Sequence, residues 1–440
     1  MVTFDNTSME IVQIKSSKEN CFKDSYSKKR IDTSWDFIKV NTKEYTHCFH
    51  QYPAMMIPQV ARRIIEEYGY KSNLLFDPYC GTGTSLVEAN LLGINAIGTD
   101  LNPLARLIAT AKTNKICIDE LNRIINIFED YLFTVGFQNN HIQSIIIPNV
   151  KNIDYWFSKE VQKKLGIILG FIEDIVDLSI RNFFKVAFSE TVRNVSNLKQ
   201  GEFKIIRSKQ YEERNDLDVF SIMISKLCRN KKGLEDFINK CKKDTYSLIY
   251  DFDTVRCIPE SIIQPSSVDI VVSSPPYGDS RTTVAYGQYS RFANEWLGFK
   301  EANQVDNILM GGKKRKESYD FTSETLTSVI DRIVDEDESR AKDVISFYHD
   351  YENSIANVAT TIKKKGFVCY VVGNRTVKGI NIPNDEITVQ LFQQNGFNHI
   401  ETIVRNIPNK RMPSKNSPSN KVGKSGATMK NEYIVICQKD

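Results

Sequence analysis

Residues 77–84 read Asp77-Pro78-Tyr79-Cys80-Gly81-Thr82-Gly83-Thr84, between the apolar run Leu74-Leu75-Phe76 and an amphipathic run from Thr84 to Leu92. That order is strand, glycine-bearing turn, helix. Gly81 and Gly83 let backbone approach a ligand that a β-carbon would obstruct. Downstream, Ala96-Ile97-Gly98-Thr99-Asp100 reads as a second strand ending in an acid, and Pro103 to Thr113 as the helix after it. Together they form a βαβα unit, which predicts the opening of a doubly wound parallel sheet.

Working outward, Ile57 to Tyr68 sets Ile57, Val60, Ile64, Ile65 and Tyr68 on one helical face, with Pro58 tolerable in the first turn and a stop at Gly69. Beyond Thr113 the rhythm changes. Ile118 to Val135, Lys159 to Val186 and Asp218 to Lys243 are long helical patterns with no strand between them. Strands resume at Ser247 to Asp251, Val268 to Val272 and Phe367 to Val372, and two last ones, Ile400 to Arg405 and Tyr433 to Cys437, bracket a Pro, Ser, Asn and Lys-rich loop. The expected organisation is a loosely ordered N-terminal arm over residues 1–40, an α/β domain over 41–115 and 246–440, and a mainly helical insertion over 116–245.

Composition narrows the class. Hydrophobic residues at 41% and charged residues at 25% are the balance of an ordinary globular protein. No apolar run reaches the roughly 18 residues that cross a bilayer, so no membrane and a cytoplasmic location are expected. The 9 cysteines are odd in number and form no CxxC pair, which argues against disulfides and a structural zinc. Lys plus Arg exceed Asp plus Glu by 58 to 54, too little to announce a nucleic-acid partner. Local crowding says more: basic residues cluster at 226–243, 313–316, 363–365 and 405–430.

The glycine loop lacks the Gly-Lys-Ser/Thr ending of a P-loop and the third glycine of the dinucleotide fingerprint, so nothing in it is built for pyrophosphate. Asp77 would repel phosphate and attract an ammonium, such as the methionine amine of S-adenosylmethionine. Asp100, on the next strand end, can accept both ribose hydroxyls of an adenosine. Ahead of the loop, His47-Cys48-Phe49-His50-Gln51-Tyr52-Pro53-Ala54 offers aromatics to pack on a ligand and donors for a carboxylate, although Phe49 and Tyr52 suit a core equally well. No metal-ligand pattern accompanies the two histidines. The candidate cofactor residues are therefore Phe49, His50, Pro53, Asp77, Pro78, Tyr79, Gly81, Gly83, Thr84, Asp100, Leu101 and Asn102.

A second constellation follows the strand at 268–272: Ser273-Ser274-Pro275-Pro276-Tyr277. Adjacent prolines forbid helix and fix an extended turn. An aryl amine is a poor nucleophile because its lone pair is delocalised, so acceptors must pull its protons toward tetrahedral geometry. The Ser274 hydroxyl and the Pro275 carbonyl are two such acceptors, and Tyr277 offers a flat face on which an extruded base can stack. Ser274, Pro275, Pro276 and Tyr277 are the candidate catalytic residues.

With these residues in view, DPYCGTGT (77–84), GTDLNPLA (98–105) and SSPPYGD (273–279) resemble the amino-methyltransferases of bacterial restriction-modification systems, and SPPY resembles their cytosine-N4 branch, where adenine-N6 enzymes usually carry Asp or Asn before the prolines. The segment HCFHQYPAMMIPQ (47–59) is similar to that family's cofactor segment, departing from it at Met55-Met56, where a Lys is common. The resemblance implies a Rossmann-like methyltransferase sheet with a terminal antiparallel hairpin, S-adenosyl-L-methionine as cofactor, double-stranded DNA as substrate and a cognate restriction endonuclease as partner. By it Asp77, Gly81 and Asp100 hold the cofactor, while Ser274, Pro275 and Tyr277 hold the base. Target recognition is expected in 116–245, with further DNA contacts in 279–345. The basic loop 406–430 is expected along the phosphates through Lys410, Arg411 and Lys415. An adenine-N6 enzyme, an RNA guanine-N2 methyltransferase and a catalytically silent DNA-binding subunit are the alternatives. A cytosine-C5 enzyme is argued against, since no Pro-Cys dipeptide supplies its nucleophile.

Overall fold

The computed structural model describes residues 28–137, 144–214, 217–242, 244–277, 286–300, 302–313, 319–407, 415–416, 426–427 and 429–440. Its spine is an 8-stranded sheet. In chain order the strands are β1 (Lys29–Ile31), β2 (Leu74–Asp77), β3 (Asn95–Thr99), β4 (Ser247–Tyr250), β5 (Val268–Ser273), β6 (Ile362–Val372), the short hairpin β7 (Arg375–Val377) and β8 (Ile380–Ile382), β9 (Phe397–Asn406), the two-residue pair β10 (Lys415–Asn416) and β11 (Gly426–Ala427), and β12 (Asn431–Lys439). The large sheet runs β1-β9-β12-β6-β5-β2-β3-β4. Its pairings are parallel except those of β12, which lies antiparallel to both β6 and β9. This is a Rossmann-like methyltransferase sheet with the expected antiparallel hairpin of β9 and β12, beyond which β1 forms the edge.

Alternation within the strands gives the sheet two buried faces. Leu75, Ile270, Val272, Cys369, Val371, Ile403 and Ile434 point to one face, where α1 (Pro58–Tyr68) and α2 (Thr84–Leu91) cover them with Val60, Ile64, Ile65, Leu86 and Ala89. Phe76, Val271, Val368, Tyr370, Val372 and Val435 point to the other. There α9 (Glu324–Glu336), α10 (Glu338–Thr361) and α11 (Asn384–Gln394) pack. A third apolar cluster joins α3 (Pro103–Thr113) to α4 (Ile118–Phe137), α5 (Lys159–Asp174), α6 (Leu178–Val195), α7 (Val219–Lys240) and α8 (Tyr286–Trp296). The helices between 116 and 245 thus share one core with α3 and α8, through Leu104, Ile108, Phe183, Phe292 and Trp296.

Two local readings change. The pattern Lys159 to Val186 is two helices, because the Asp177 side chain accepts from Ile180 N–H at 2.9 Å and starts a new helix after Asp174. The polar N-terminal stretch, read as a loose arm to residue 40, is part of the fold over its described residues 28–40: β1 pairs with β9, and Trp35 is fully buried. Arg405 donates to the Trp35 carbonyl at 2.8 Å and Arg63 lies 4.0 Å over its ring. A strand of 3 residues, Lys-Arg-Ile, carries too little alternation to be legible. Among the described residues no helix is long and apolar enough to cross a membrane.

Candidate active site

Strand order reverses between β2 and β5: the chain builds outward through β3 and β4 on one side of β2, then β5 and β6 on the other. Crevices at such reversals, outside the carboxyl ends of the strands, are where open α/β sheets bind ligands. A cavity of about 730 Å³ opens there, inside the usual range for cofactor sites. Both sequence constellations end in it. Asp77 closes β2, Ser273 closes β5, and the Ser273 hydroxyl donates to Asp77 Oδ1 at 2.5 Å, tying the two turns together.

On the β2–β3 side, Asp77 also accepts from Tyr79 N–H at 3.1 Å and from the Ser85 hydroxyl. Three of its roughly four lone-pair positions are therefore used within the protein. Burial pushes its carboxyl up to about 6, against the pull of the two serines. Asp100 closes the same floor: Oδ2 accepts from Gly81 N–H at 3.0 Å and Oδ1 from Asn102 N–H at 2.7 Å, and burial raises this carboxyl too. Asn102 caps α3 through Leu104 N–H at 3.2 Å while its amide donates to the Tyr52 hydroxyl at 2.7 Å. Tyr52 in turn stacks on Tyr286, ring centroids 6.0 Å apart.

The two glycines of the loop part company. Gly81 (φ +49) has nothing within 4 Å of where a β-carbon would stand, and it lines the cavity. Gly83 (φ +76) faces helix α3 instead, where a β-carbon would sit 3.0 Å from Ala109 Cβ. It lets two helices close on each other rather than backbone close on a ligand. Phe49 and His50 also leave the site. Phe49 is fully buried edge-on to Phe183, 5.5 Å away, and His50 is buried 6.2 Å from the Tyr289 ring, its pKa depressed to about 4 by burial. Their segment turns toward the helical core, so the cavity receives the residues after them, from Tyr52 to Met56. Pro53, Pro78, Tyr79, Thr84, Leu101 and Asn102 all line it.

On the β5–β6 side, Ser274, Pro275, Pro276 and Tyr277 line the cavity. The Ser274 hydroxyl donates to the Val371 carbonyl at 3.1 Å and sits 3.1 Å from the Tyr277 hydroxyl. With its one proton on Val371, Ser274 Oγ is left as an acceptor. Tyr277 is partly buried, and desolvation of its hydroxyl drives it further from ionisation. Its ring lies against Gly373, where a β-carbon would stand 2.8 Å from Tyr277 Cδ2 and run into the Met429 sulfur.

Several lining residues were not anticipated. Asp253 and Thr254 follow β4, in an Asp-Phe-Asp stretch whose acid after a strand end was a legible signal. Burial raises the Asp253 carboxyl. Tyr286, Met310, Arg375, Lys430 and Glu432 come from segments with no motif, gathered by the fold alone. Lys410 and Arg411 lie outside the described residues, as do Gly278 and Asp279, and of Lys415 only the backbone in β10 is described.

A model of the N6 and N4 DNA methylase family matches residues 3–110. Over 437 residues, covering 94% of this chain and 96% of the relative, the sequence is 39% identical to the Type II methyltransferase M.MvaI of Kocuria varians. The chain belongs to the DNA amino-methyltransferases of restriction-modification systems. The Type II methyltransferase M.MjaII of Methanocaldococcus jannaschii is 22% identical over 72% of the chain and 76% of its own length. A tRNA (guanine(10)-N2)-dimethyltransferase of Methanothermobacter thermautotrophicus is 40% identical over only 52 residues, 12% of the chain and 16% of its own.

The family's methyl donor is S-adenosylmethionine, and this methyltransferase has a site whose chemistry fits it. Asp77, Asp100 and Asp253 give the cavity an acidic floor suited to a cationic ligand, Gly81 leaves its backbone uncovered, and Tyr52 and Tyr286 supply apolar rings. The cationic lining residues, Arg375 and Lys430, come from the part of the chain that follows the Ser274–Tyr277 turn.

Proposed function

We propose that this methyltransferase acts on the exocyclic N4 of cytosine in duplex DNA at a specific site, as the protective half of a restriction-modification pair whose endonuclease cuts the same sequence. The observation that carries the reading is Ser274: a neutral hydroxyl, its proton on the Val371 carbonyl, presents an oxygen acceptor to the cavity beside the partly buried Tyr277. A serine ahead of two prolines is also the feature by which the sequence resembles the cytosine-N4 branch.

S-adenosylmethionine supplies an electrophilic methyl group. On the cofactor side Asp100 offers its carboxylate to the ribose hydroxyls, Gly81 its open backbone, and Asp77 its remaining lone pair to the amine. Opposite them, Tyr277 gives the extruded cytosine a stacking face, a contact of about 1–3 kcal/mol in single-strand binders. Ser274 Oγ and the Pro275 carbonyl accept from the two N–H groups of the base amine, drawing its lone pair out of conjugation as the nitrogen approaches the methyl carbon. The N–C bond forms as the sulfur–methyl bond breaks to leave a neutral thioether, and the surplus amine proton passes by way of the Ser274 and Pro275 acceptors to solvent. Because these acceptors matter most as the nitrogen becomes tetrahedral, they act on the rate more than on binding.

Residues 116–245 are assigned to target recognition and 279–345 to further DNA contacts. The loop 406–430, with Lys410, Arg411 and Lys415, is assigned to the phosphate backbone. Long-read sequencing of DNA from cells expressing the protein tests the reading. Modified cytosines at one recurring sequence are expected, and modified adenines alone would move the assignment to the adenine-N6 branch.

A further inference from the structure

Between α6 and α7 the chain leaves the helical core as an antiparallel ribbon. Lys199 N–H donates to the Ile206 carbonyl and Ser208 N–H to the Asn197 carbonyl, both at 2.8 Å, around a Leu198–Arg207 bridge. Gly201 (φ +81) turns the tip. One side of the ribbon is fixed. Leu198 is buried, Ile205 N–H donates to Gln288 Oε1 at 3.3 Å, and the Arg207 guanidinium is held 3.9 Å from the Tyr155 ring and 3.6 Å from that of Tyr211. The other side is open: Phe203 is 40% exposed and Ile206 43%, interleaved with exposed Lys199, Lys204 and Lys209.

Its mooring places it beside the reaction. Gln288 and Tyr289, which hold Ile205 and meet Phe203 at 6.2 Å, lie in the first turn of α8, and Tyr286 of that same turn lines the cavity. At a rise of about 1.5 Å per residue, the mooring stands about 3 to 4.5 Å along the helix from the cavity wall. Arg193, stacked 4.0 Å over the Tyr289 ring, fixes the same turn from α6.

We propose that the ribbon 197–209 enters the major groove of the substrate duplex next to the extruded base, with Phe203 and Lys204 against base edges and Lys209 on a phosphate. The proposal rests on the DNA-methyltransferase reading and gives its recognition region a named reading element. The major groove admits a two-stranded ribbon, lysine pairs with the guanine O6 and N7 acceptors, and phenylalanine packs on the thymine methyl. Positive charge beside exposed apolar side chains complements DNA, whose groove edges are mixed and whose backbone is anionic. A ribbon tied to the cavity wall through α8 would set the distance between the bases read and the base extruded.

The test uses the full-length protein and two synthetic duplexes, one carrying the site mapped by sequencing and one with that site scrambled. Lys209→Ala is expected to weaken both duplexes alike and to lower the salt slope by about 1. Phe203→Ala with Lys204→Ala is expected to cut the preference for the mapped site about tenfold or more, with S-adenosylmethionine affinity unchanged. Since Phe203 leans on Tyr289, Lys204→Ala alone must also lower that preference. Wild-type preference in both Lys204 variants, together with a wild-type salt slope in Lys209→Ala, would overturn the proposal. Failure of the parent reading shows separately, as wild-type protein that methylates neither duplex.

Discussion

Asp100 and Ser274 face one cavity from two sides of the same strand reversal, yet they are held by unlike means. Asp100 is an acid braced by two main-chain N–H groups, that of Asn102 two positions on and that of Gly81 in the preceding strand-to-helix turn. Ser274 is neutral and is braced by a carbonyl nearly a hundred positions downstream, Val371, and by Tyr277, which itself rests on Gly373. The side proposed for the cofactor thus takes Asp77, Gly81 and Asp100 from one continuous stretch and adds Asp253 and Tyr286 from downstream, while the side proposed for the base depends on distant braces throughout. A small cationic cofactor needs fixed carboxylates and open backbone, whereas an extruded base needs a flat wall and acceptors whose alignment depends on strands β5 and β6 staying in register.

The largest effect should come from breaking the base side. Ser274→Ala is expected to slow single-turnover methyl transfer by roughly two orders of magnitude, a loss like that of one oriented hydrogen-bonding group in other active sites, while DNA and cofactor affinities stay near wild type. A 2-aminopurine at the target position should still brighten on extrusion in Ser274→Ala and respond differently in Tyr277→Ala. A wild-type single-turnover rate in Ser274→Ala would remove the serine from the chemistry.

Next is the cofactor side. Asp100→Ala is expected to weaken S-adenosylmethionine binding by about tenfold to a hundredfold, the size of hydrogen bonds to a charged group, as read by isothermal titration. Gly83→Val sharpens the contrast: it crowds Ala109 and demands a φ of +76, so thermal stability should fall first and cofactor affinity only through it. Full stability with lost affinity in Gly83→Val would return that glycine to the ligand.

A pH titration separates the two sides more gently. Burial raises Asp77 from 3.8 to about 6, so folding favours its protonated form. The cofactor-free protein gains that stabilisation below 3.8 and loses it as pH rises through about 6. Affinity for the cationic cofactor should move the other way, falling as pH drops through about 6, and Asp77→Asn should flatten that dependence. The smallest effect is expected at the periphery, where Lys410→Ala, Arg411→Ala and Lys415→Ala each flatten the salt dependence of DNA binding by about 1 without changing site preference.

The same contrast explains what the sequence disclosed. The loop 77–84 and Asp100 were legible because strand, turn and helix follow one another there, and the helix over 103–113 matches its expected ends. The SPPY turn was legible because two prolines after a buried strand leave few conformations. Arg375, Glu432 and Tyr286 were not, since their place in the cavity depends on a hairpin, a reversed strand and a helix start that local pattern does not specify. Phe49 and His50 went astray for the opposite reason: their motif was visible, but the large apolar cluster of α3 to α8 claimed them. Gly83 shows that a glycine-rich loop can spend one glycine on packing as readily as on a ligand.

Mass analysis of nucleosides from DNA methylated by the purified enzyme tests the central claim most directly, that the Ser274-Pro275-Pro276-Tyr277 turn activates the amino group of cytosine. N4-methylcytosine, present with wild-type protein and greatly reduced with Ser274→Ala, is the predicted result. N6-methyladenine as the sole product, or N4-methylcytosine formed equally fast by both proteins, would contradict it.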